Sequence, residues 1–409
     1  MPPTTSERAI GPRPTIGIAG VWTDPELPHV NRGVPHNIAS ALRRLGVYSG
    51  YREAFPLTSA KVVGLWRKAR HRPTDLPSLM LSPEMRVLST VVHGWQRITT
   101  PSSVDYWLLF GGARSVRSRY ATVTDESPHQ FFHRSPAPSA TVLYPHASAH
   151  QLRNVERRAE EVYRRATVCC VASHWAADSL VSECGVAPER VKVVGFGPGG
   201  GHDPSTVPLE LRDWTRPSFL FVGNAWEVKN GDAVVRAFRA VRQRAPEAVL
   251  HLVGNHPSLS EDGVVAHGSL SRHEPSQRRL LDELFARATC FVMPSRVEPF
   301  GHVYVEAGTV GVASIGTIRG GATDAIGSGG LLVDPDDDRS IVLAMLRFCD
   351  ADFAQTKGRV ALEHAKLLTW DLVTGRILRA LGISIPDVAL AEFLDSDPRT
   401  PGGKDSFRN

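Results

Sequence analysis

Short apolar runs alternate with longer amphipathic stretches along most of the chain. The first run, Thr15–Val21, precedes a stretch from Pro35 to Leu45 with apolar residues at helical spacing, and Gly46 ends that stretch. Apolar runs bounded by turn residues predict buried strands, and apolar positions three and four apart predict helices. The same pattern predicts a helix at 152–166 and further strands at 106–110, 120–123, 168–172 and 191–194. Strands that alternate with helices favour a doubly wound parallel sheet.

The alternation stops at an irregular, polar stretch near residues 203–216 and then begins again. A second opening strand is predicted at Phe219–Gly223. Helices at 232–244 and 274–288 and strands at 249–253 and 290–293 follow it. At 409 residues the chain is too long for one ordinary domain. We therefore expect two α/β domains, residues 1–205 and 216–365, with ligands in the cleft between them.

The composition is that of a globular protein, with 42% hydrophobic and 22% charged residues. Because no apolar run reaches about 18 residues, we expect no transmembrane helix and at most peripheral membrane contact. Residues 1–14 lack the apolar region of a secretion signal. The five cysteines lack metal-ligand spacing, which favours free thiols and a cytoplasmic protein. Residues 385–409 are polar and rich in Pro and Gly, so we expect a disordered tail.

The positive charge is concentrated in the first half of the chain. Residues 1–205 contain 24 Lys and Arg against 16 Asp and Glu, whereas the remainder contains 23 against 26. A basic half attracts anions such as an acidic acceptor, a membrane surface or nucleic acid. The densest basic cluster, residues 67–72, has neither a nucleic-acid-binding motif nor an apolar membrane face. We interpret it as solvated surface and expect no nucleic-acid partner.

The most informative stretch is Ser295–Glu306, which follows a strand-like apolar run. It carries Glu298 and Glu306, eight positions apart around a Phe-Gly turn, and then enters a helical pattern. A strand that turns sharply into a helix leaves backbone N–H groups at the positive end of the helix dipole, which suits phosphate. An ordinary solvated helix with acidic residues near its start would give the same pattern.

The spacing of Glu298 and Glu306 resembles the Glu-x7-Glu signature of retaining glycosyltransferases of the GT-B fold, in particular family 4, the glycosyl transferases group 1. The resemblance implies an α/β protein with two Rossmann-like domains facing each other across a cleft. It implies that Glu298 contacts the sugar of a nucleotide-diphosphate sugar and that Glu306 holds the ribose hydroxyls. The turn amides that would meet the diphosphate belong to Phe300, Gly301, His302 and Val303.

A second motif ends the strand that opens the second half. Gly223, Asn224 and Lys229 resemble the family pattern Gly-Arg, four residues, then Lys-Gly, in which Arg and Lys clamp the donor phosphates. Lys229 falls in register, but Asn224 replaces the Arg and Asn230 is inserted before the final Gly. One cation is therefore missing or supplied from elsewhere. The alternative for Lys229 is an exposed loop lysine.

Weaker matches extend the resemblance over nearly the whole chain. Backbone at Ser269 and Leu270 resembles the turn that meets the nucleobase, although the sequence does not reveal which base. Gly33 resembles one half of a double-glycine loop at the donor phosphate, with Arg32 in place of the other glycine. The paired glycines at 320–321 resemble those that allow close backbone approach. The amphipathic run within 366–384 resembles the helix that crosses back onto the first domain.

Two further candidates follow a predicted strand of the first half. Family members often place a His or an Asp at this point against the donor sugar, so Asp125 and His129 are our catalytic candidates. Turn and capping chemistry explains the same residues equally well. The Asp-x-Asp patterns at 336–338 and 395–397 lie in a predicted loop and in the tail. We interpret them as solvated charge and expect neither a metal site nor a cofactor beyond the nucleotide sugar.

The sequence therefore predicts a metal-independent glycosyltransferase that transfers a sugar with retention of configuration. One alternative is a nucleotide-sugar epimerase or hydrolase of the same fold. Another is a binding module without turnover, which the missing cation at Asn224 suggests. The acceptor, whether small molecule, glycan or lipid-linked, is not encoded in a recognisable motif.

Overall fold

The computed structural model describes residues 14–20, 24–27, 30–53, 68, 104–110, 118–134, 147–199, 212–385 and 387–396. Most of the basic cluster at 67–72 and residues 203–211 of the predicted interdomain stretch lie outside the described residues. Among the described residues no helix combines the length and apolarity that crossing a bilayer requires.

The first sheet has six parallel strands in the order β2-β1-β3-β4-β5-β6. The strands are β1 Ile16–Gly20, β2 Tyr48–Glu53, β3 Tyr106–Phe110, β4 Arg119–Thr124, β5 Val168–Val171 and β6 Val191–Val193. Within the described residues of this half, the helices are α1 Val34–Arg44, α2 Pro128–His133, α3 Ala149–Arg165 and α4 His174–Ser182, with short 3-10 turns at Val30–Gly33 and Pro188–Arg190. Parallel strands in the interior of a sheet are covered on both faces, which is why β1, β3 and β5 are continuous apolar runs.

The second sheet repeats the architecture, with six parallel strands in the order β12-β11-β10-β7-β8-β9. Its strands are β7 Ser218–Val222, β8 Val249–Val253, β9 Val264–Gly268, β10 Cys290–Val292, β11 Ala313–Thr317 and β12 Leu331–Val333. Its helices are α5 Gly231–Arg242, α6 Pro275–Arg287, α7 His302–Thr309, α8 Ala322–Ile326, α9 Asp338–Arg347 and α10 Ala351–Lys366, with a 3-10 turn at Gly327–Gly329. The predicted doubly wound α/β architecture is confirmed in both sheets.

Helix α11, Trp370–Ala380, returns from the second half of the chain to the first. The buried guanidinium of Arg376 donates hydrogen bonds to the carbonyl oxygens of Val194 and Leu367, at 2.9 and 2.6 Å. The indole Nε1 of Trp370 donates to the carbonyl oxygen of Pro198 at 2.9 Å. These bonds fix the segment that follows β6 against α11.

Residues Val388–Ser396 form a further helix, α12, where the composition predicted disorder. Asp387 accepts a hydrogen bond from the backbone N–H of Leu390, which caps the helix start. Asp395 pairs with Arg379 of α11 at 2.6 Å. The expectation from composition is wrong here because it ignored this cap and the neighbouring helix. Residues 397–409 lie outside the described part of the chain.

Candidate functional site

A cavity of about 600 Å³ lies at the carboxyl ends of β7, β8 and β10, with Arg32 and Gly199 contributed by the first half of the chain. The residues that line it include most of the candidates from the sequence: Gly223, Asn224, Lys229, Leu270, Glu298, Gly301, His302, Val303 and Glu306. Arg272, His273 and Arg278 also line it. The volume is typical of a site for a small organic ligand.

The start of α7 forms the floor of the site. Gly301 is the N-terminal cap and has φ 90° and ψ 67°, a left-handed conformation that favours glycine. A Cβ at this position would lie 2.4 Å from the ring of Tyr304 and 3.1 Å from Cγ of Glu298. The first N–H groups of a helix have no partner within the helix, so those of His302 and Val303 provide anion-binding capacity beside the cavity.

Glu298 is almost fully buried and forms an ion pair with Lys229. Its Oε2 accepts hydrogen bonds from Nζ of Lys229 at 2.5 Å and from Oγ of Ser295 at 3.0 Å. Burial by itself would raise the pKa of Glu298, but the charges of Lys229 and Arg32 and these hydrogen bonds lower it. The carboxylate is therefore ionised at neutral pH.

The backbone of Glu298 is held by the paired glycines at 320–321. Its N–H donates to the carbonyl oxygen of Arg319 at 3.0 Å, and its carbonyl oxygen accepts from the N–H of Gly321 at 2.8 Å. A Cβ on Gly320 would lie 2.1 Å from that same carbonyl oxygen. The close backbone approach expected from the Gly-Gly pair is thus present, and it fixes the turn that carries Glu298.

Glu306 lies one turn into α7, buried, and connects the two halves of the chain. Its Oε1 accepts from the backbone N–H of Gly199 at 3.0 Å, and its Oε2 accepts from Nη2 of Arg272 at 2.6 Å. The buried carboxylate therefore ties the start of α7 to the segment after β6, and it also lines the cavity.

His302 makes a second connection across the cleft. Its Nδ1 lies 2.7 Å from the carbonyl oxygen of Gly197, and its ring stacks on Phe196 at 5.6 Å. Burial and the nearby charge of Arg32 lower the pKa of His302. The imidazole is therefore neutral at neutral pH, and its hydrogen bond to Gly197 connects α7 to the segment that follows β6. Phe300 is also buried against Phe196, so only its backbone can serve a ligand.

Arg32 occupies the position at which the family resemblance expects glycine. Its φ of 55° is left-handed, and Gly33 beside it has φ 77°. A side chain in this conformation costs roughly 1–2 kcal/mol. The guanidinium lines the cavity and its Nη1 lies 3.6 Å from Oδ2 of Asp125. Gly33 itself serves as the N-terminal cap of α1.

The inserted Asn230 is accommodated in the same way, with φ 61°. Its side-chain nitrogen donates to the carbonyl oxygen of Pro335 at 2.7 Å, so the insertion is built into the start of α5. Asn224 lines the cavity where the family pattern has an Arg. Arg32, Arg272 and Arg278 bring positive charge to the same cavity.

Glu126 lies close enough to the site for its charge to interact with that of Glu298, which the sequence motifs did not indicate. Burial raises the pKa of Glu126 to about 8, the carboxylates of Asp125 and Glu298 act in the same direction, and Arg32 opposes them. The carboxyl group is therefore mostly protonated at neutral pH. Its position directly after Asp125 was the available signal, but only the fold reveals its proximity to Glu298.

Three of the remaining candidates, Ser269, His129 and Asp125, are not among the residues that line the cavity. Ser269 is exposed, after β9. His129 lies in the first turn of α2, and its ring nitrogens face Glu156 and Glu183 at 3.9 and 3.8 Å. The helix therefore directs His129 toward α3 and α4, whereas Asp125 in the preceding turn pairs with Arg32.

Comparison with known proteins gives the same assignment as the motifs. The sequence model of the family described as "Glycosyl transferases group 1" matches residues 216–351. A D-inositol 3-phosphate glycosyltransferase of Kribbella flavida is 27% identical over 300 residues, which cover 67% of this chain and 69% of that protein. A D-inositol 3-phosphate glycosyltransferase of a Nocardioides species is 30% identical over 241 residues, about half of each chain.

The fold comparison covers more of the molecule. Sucrose-phosphate synthase from Thermosynechococcus elongatus superposes with a TM-score of 0.59 at 18% identity, covering 90% of this chain and 99% of that one. At this identity the likeness shows the fold, and the fold is GT-B, as the Glu298–Glu306 motif predicted. Residues 216–351 therefore match the group 1 glycosyltransferase family, and the described residues form two parallel six-stranded sheets in the GT-B arrangement.

Proposed function

We propose that the chain transfers a sugar from a nucleotide-diphosphate sugar to an acceptor hydroxyl with retention of anomeric configuration. One observation carries the proposal: Lys229, Glu298, Glu306 and the first turn of α7 all line one cavity. This combines a cation, two carboxylates and a helix N-terminus, which are the groups that a diphosphate joined to two sugars requires.

In this proposal the diphosphate lies against the N–H groups of His302 and Val303 and the ammonium of Lys229. Arg32 and Arg272, which also line the cavity, supply the positive charge that Asn224 does not. Guanidinium groups bind phosphate with two parallel hydrogen bonds, so these substitutes are chemically adequate. Donor binding then moves Lys229 partly from Glu298 to phosphate.

In the same proposal, the carboxylates of Glu298 and Glu306 bind the two sugar rings of the donor. Glu306, which lines the cavity, accepts the ribose hydroxyls. Glu298, which Lys229 and Ser295 hold in one orientation, accepts hydroxyls of the transferred sugar. Backbone at Leu270, which lines the cavity, meets the nucleobase.

Retention follows if the acceptor attacks from the face that the diphosphate leaves. The departing phosphate oxygen then takes the acceptor proton, and no protein base is required. The role of the protein is positioning and electrostatic stabilisation of the leaving diphosphate. Helix α7, Lys229 and Arg32 provide that stabilisation without a metal ion at the diphosphate.

The acceptor side and the cellular compartment belong to the same proposal. We infer a hydroxyl-bearing acceptor, which approaches past Asp125 and Glu126 of the first domain. The cysteines are free thiols, four of them buried, which suits a reducing compartment such as the cytoplasm.

The first test is thermal unfolding of the protein with UDP, GDP, ADP and dTDP. A nucleotide at about 100 times its dissociation constant should add roughly 2.7 kcal/mol to the free energy of unfolding. Glu306→Gln should abolish the effect, since an amide cannot accept at both atoms. Glu283→Gln on the exposed face of α6 removes the same charge and should leave the effect unchanged.

The nucleotide that binds then defines the donors for turnover, with the anomer of the product determined by NMR. An inverted product would refute retention. A product formed without acceptor would indicate a hydrolase or epimerase. Stabilisation by none of the nucleotides would favour a binding-deficient module and refute the proposal.

A further inference from the structure

Helices α2 and α3 bring together three side chains with the composition of a transition-metal site. His129 and His133 lie one turn apart on α2, with ring centroids 4.6 Å apart. Glu156 on α3 faces both rings. Its Oε1 lies 2.7 Å from Nε2 of His133 and 3.9 Å from Nδ1 of His129. The potential ligand atoms of the three residues all lie within 4.8 Å of one another.

These separations suit a tetrahedral ion. Zinc bonds of 2.0–2.1 Å to nitrogen and oxygen place neighbouring ligand atoms about 3.3 Å apart. The separations of 2.7 and 3.9 Å from Glu156 to the two imidazoles bracket that value. Side-chain rotations that bring all three ligand atoms, which lie within 4.8 Å of one another, to this separation would complete the coordination.

A second carboxylate, that of Glu183, faces the other ring nitrogen of His129. Oε1 of Glu183, the residue that caps the end of α4, lies 3.8 Å from Nε2 of His129. Metal-bound histidines usually donate their second N–H to a carboxylate, which fixes the tautomer and the ring orientation. Arg134 and Ser179 both bond to Glu183 and hold it in place. One ring nitrogen of His129 thus lies 3.9 Å from the ligand carboxylate, and the other lies 3.8 Å from a carboxylate that a small turn of the ring would bring into hydrogen-bond range.

We propose that His129, His133 and Glu156 bind one Zn²⁺, with water in the fourth position. Two imidazoles and one carboxylate favour zinc over magnesium or calcium, which prefer sets of oxygen ligands. Half of the His133 side chain is exposed, so the ion reaches the site from solvent. The three residues are not among those that line the donor cavity, and the proposal is independent of the proposed function.

The ion would crosslink helices α2 and α3 of the first domain. Residues 134–148 separate α2 from α3 in the sequence, and α2 begins two residues after Glu126. A bond from α2 to α3 therefore fixes the position of the turn that carries Asp125 and Glu126. Metal binding to the folded state alone also stabilises that state.

The test uses the full chain, stripped with a chelator and titrated with Zn²⁺ against a chromophoric zinc indicator. We expect one equivalent of zinc to bind. Zinc at 100 times its dissociation constant should lower the equilibrium constant for unfolding about 100-fold. His133→Ala, at an exposed position, should weaken binding at least tenfold. The matched control, His150→Ala on the exposed start of α3, should bind as the wild type does.

A further variant separates ligation from orientation. Glu183→Gln should weaken zinc binding by roughly 10–100-fold, while the visible spectrum of bound Co²⁺ stays tetrahedral because the ligands are unchanged. If His133→Ala fails to fold by circular dichroism, Glu156→Gln, which keeps the side-chain shape, takes its place. Absence of zinc binding in the wild type, or unchanged binding in the ligand variants, would overturn the proposal.

Discussion

The ammonium group of Lys229 lies 2.5 Å from Oε2 of Glu298, and the carboxylate has almost no contact with solvent. Each charge is the main counterion of the other within the cavity. Because Glu298 cannot be solvated by water, the pair determines whether the carboxylate is ionised. The ion pair therefore links the stability of the second domain to the donor site.

We expect Lys229→Met to destabilise the protein by about 3–5 kcal/mol, since it leaves a buried carboxylate without its partner. The double variant Lys229→Met/Glu298→Gln should be more stable than Lys229→Met alone, because it removes the unpaired charge. Urea unfolding of the wild type, both single variants and the double variant measures this coupling. Additive costs would show that the two groups do not interact.

The same pair gives a pH dependence with a defined sign. The pKa of Glu298 is lowered in the folded protein, so the carboxylate contributes stability above its ordinary pKa of 4.5 and loses it as the pH falls through the lowered value. The free energy of unfolding of the wild type should therefore fall more steeply below pH 4.5 than that of Glu298→Gln. Equal slopes in urea titrations from pH 6 to pH 3 would contradict the assignment.

Arg32→Gly should raise stability and lower nucleotide affinity at the same time. Glycine relieves the left-handed backbone of Arg32, a gain of roughly 1 kcal/mol. The substitution also removes a cation from the cavity. Arg32→Lys keeps both the charge and the strain, so it serves as the control. Urea unfolding and calorimetric titration with the preferred nucleotide test the two effects, and unchanged affinity would exclude Arg32 from the donor site.

A pair of histidines on the second sheet should make the protein acid-sensitive. Nδ1 of His251 lies 3.0 Å from Nε2 of His267, and burial and the charge of His267 lower the pKa of His251 to about 4. Between pH 6.5 and 4 His251 is protonated in the unfolded chain but neutral in the folded protein. The free energy of unfolding therefore falls as the pH decreases. Above pH 6.5 the pair contributes no pH dependence.

The expected loss for His251 is about 1 kcal/mol at pH 5, reduced from the full linkage value because the ring is partly exposed. His251→Phe should remove this part of the difference between urea midpoints at pH 7.5 and pH 5. His150→Phe, on an exposed part of α3, should leave the difference as in the wild type. The idea fails if both variants behave alike.

Arg376→Met should cost about 2–6 kcal/mol, since the carbonyl oxygens of Val194 and Leu367 would each lose a buried donor at about 1–3 kcal/mol. Methionine has a similar volume, so the loss reflects the hydrogen bonds more than a cavity. Arg379→Met one turn later on α11 is the control, because its ion pair with Asp395 is exposed. A cost for Arg376→Met no larger than that of the control would contradict this account.

Much of the fold was predictable because both sheets are parallel and buried. Such strands are mostly apolar, and β3 and β8 have the bounds that the pattern predicts. Strand β2, Tyr48–Glu53, was missed because Gly50, Arg52 and Glu53 interrupt any apolar run. It is an edge strand of the first sheet, where polar residues are tolerated.

The second-domain half of the site was predictable from local motifs, since Lys229 and Glu298 each lie in a recognisable loop. The contribution of Arg32 was not predictable from local motifs. Arg32 precedes Glu298 by 266 positions, and only the fold brings the two residues near each other. Glycine at position 32 would have matched the family pattern, so from the sequence alone the arginine counts as the loss of one glycine of the double-glycine loop. The structure shows instead that the side chain enters the cavity.

The hydrogen bonds from Arg376 to Val194 and from Trp370 to Pro198 join two segments of the chain that are synthesised at very different times. Residue 376 follows residue 194 by 182 positions, which takes roughly 10–35 s at 5–20 residues per second. During that interval the surface of the first domain that α11 covers is exposed on the nascent chain. Translation must therefore pass residue 376 before the first domain can complete its native packing, and a truncation before α11 would leave that packing permanently unfinished.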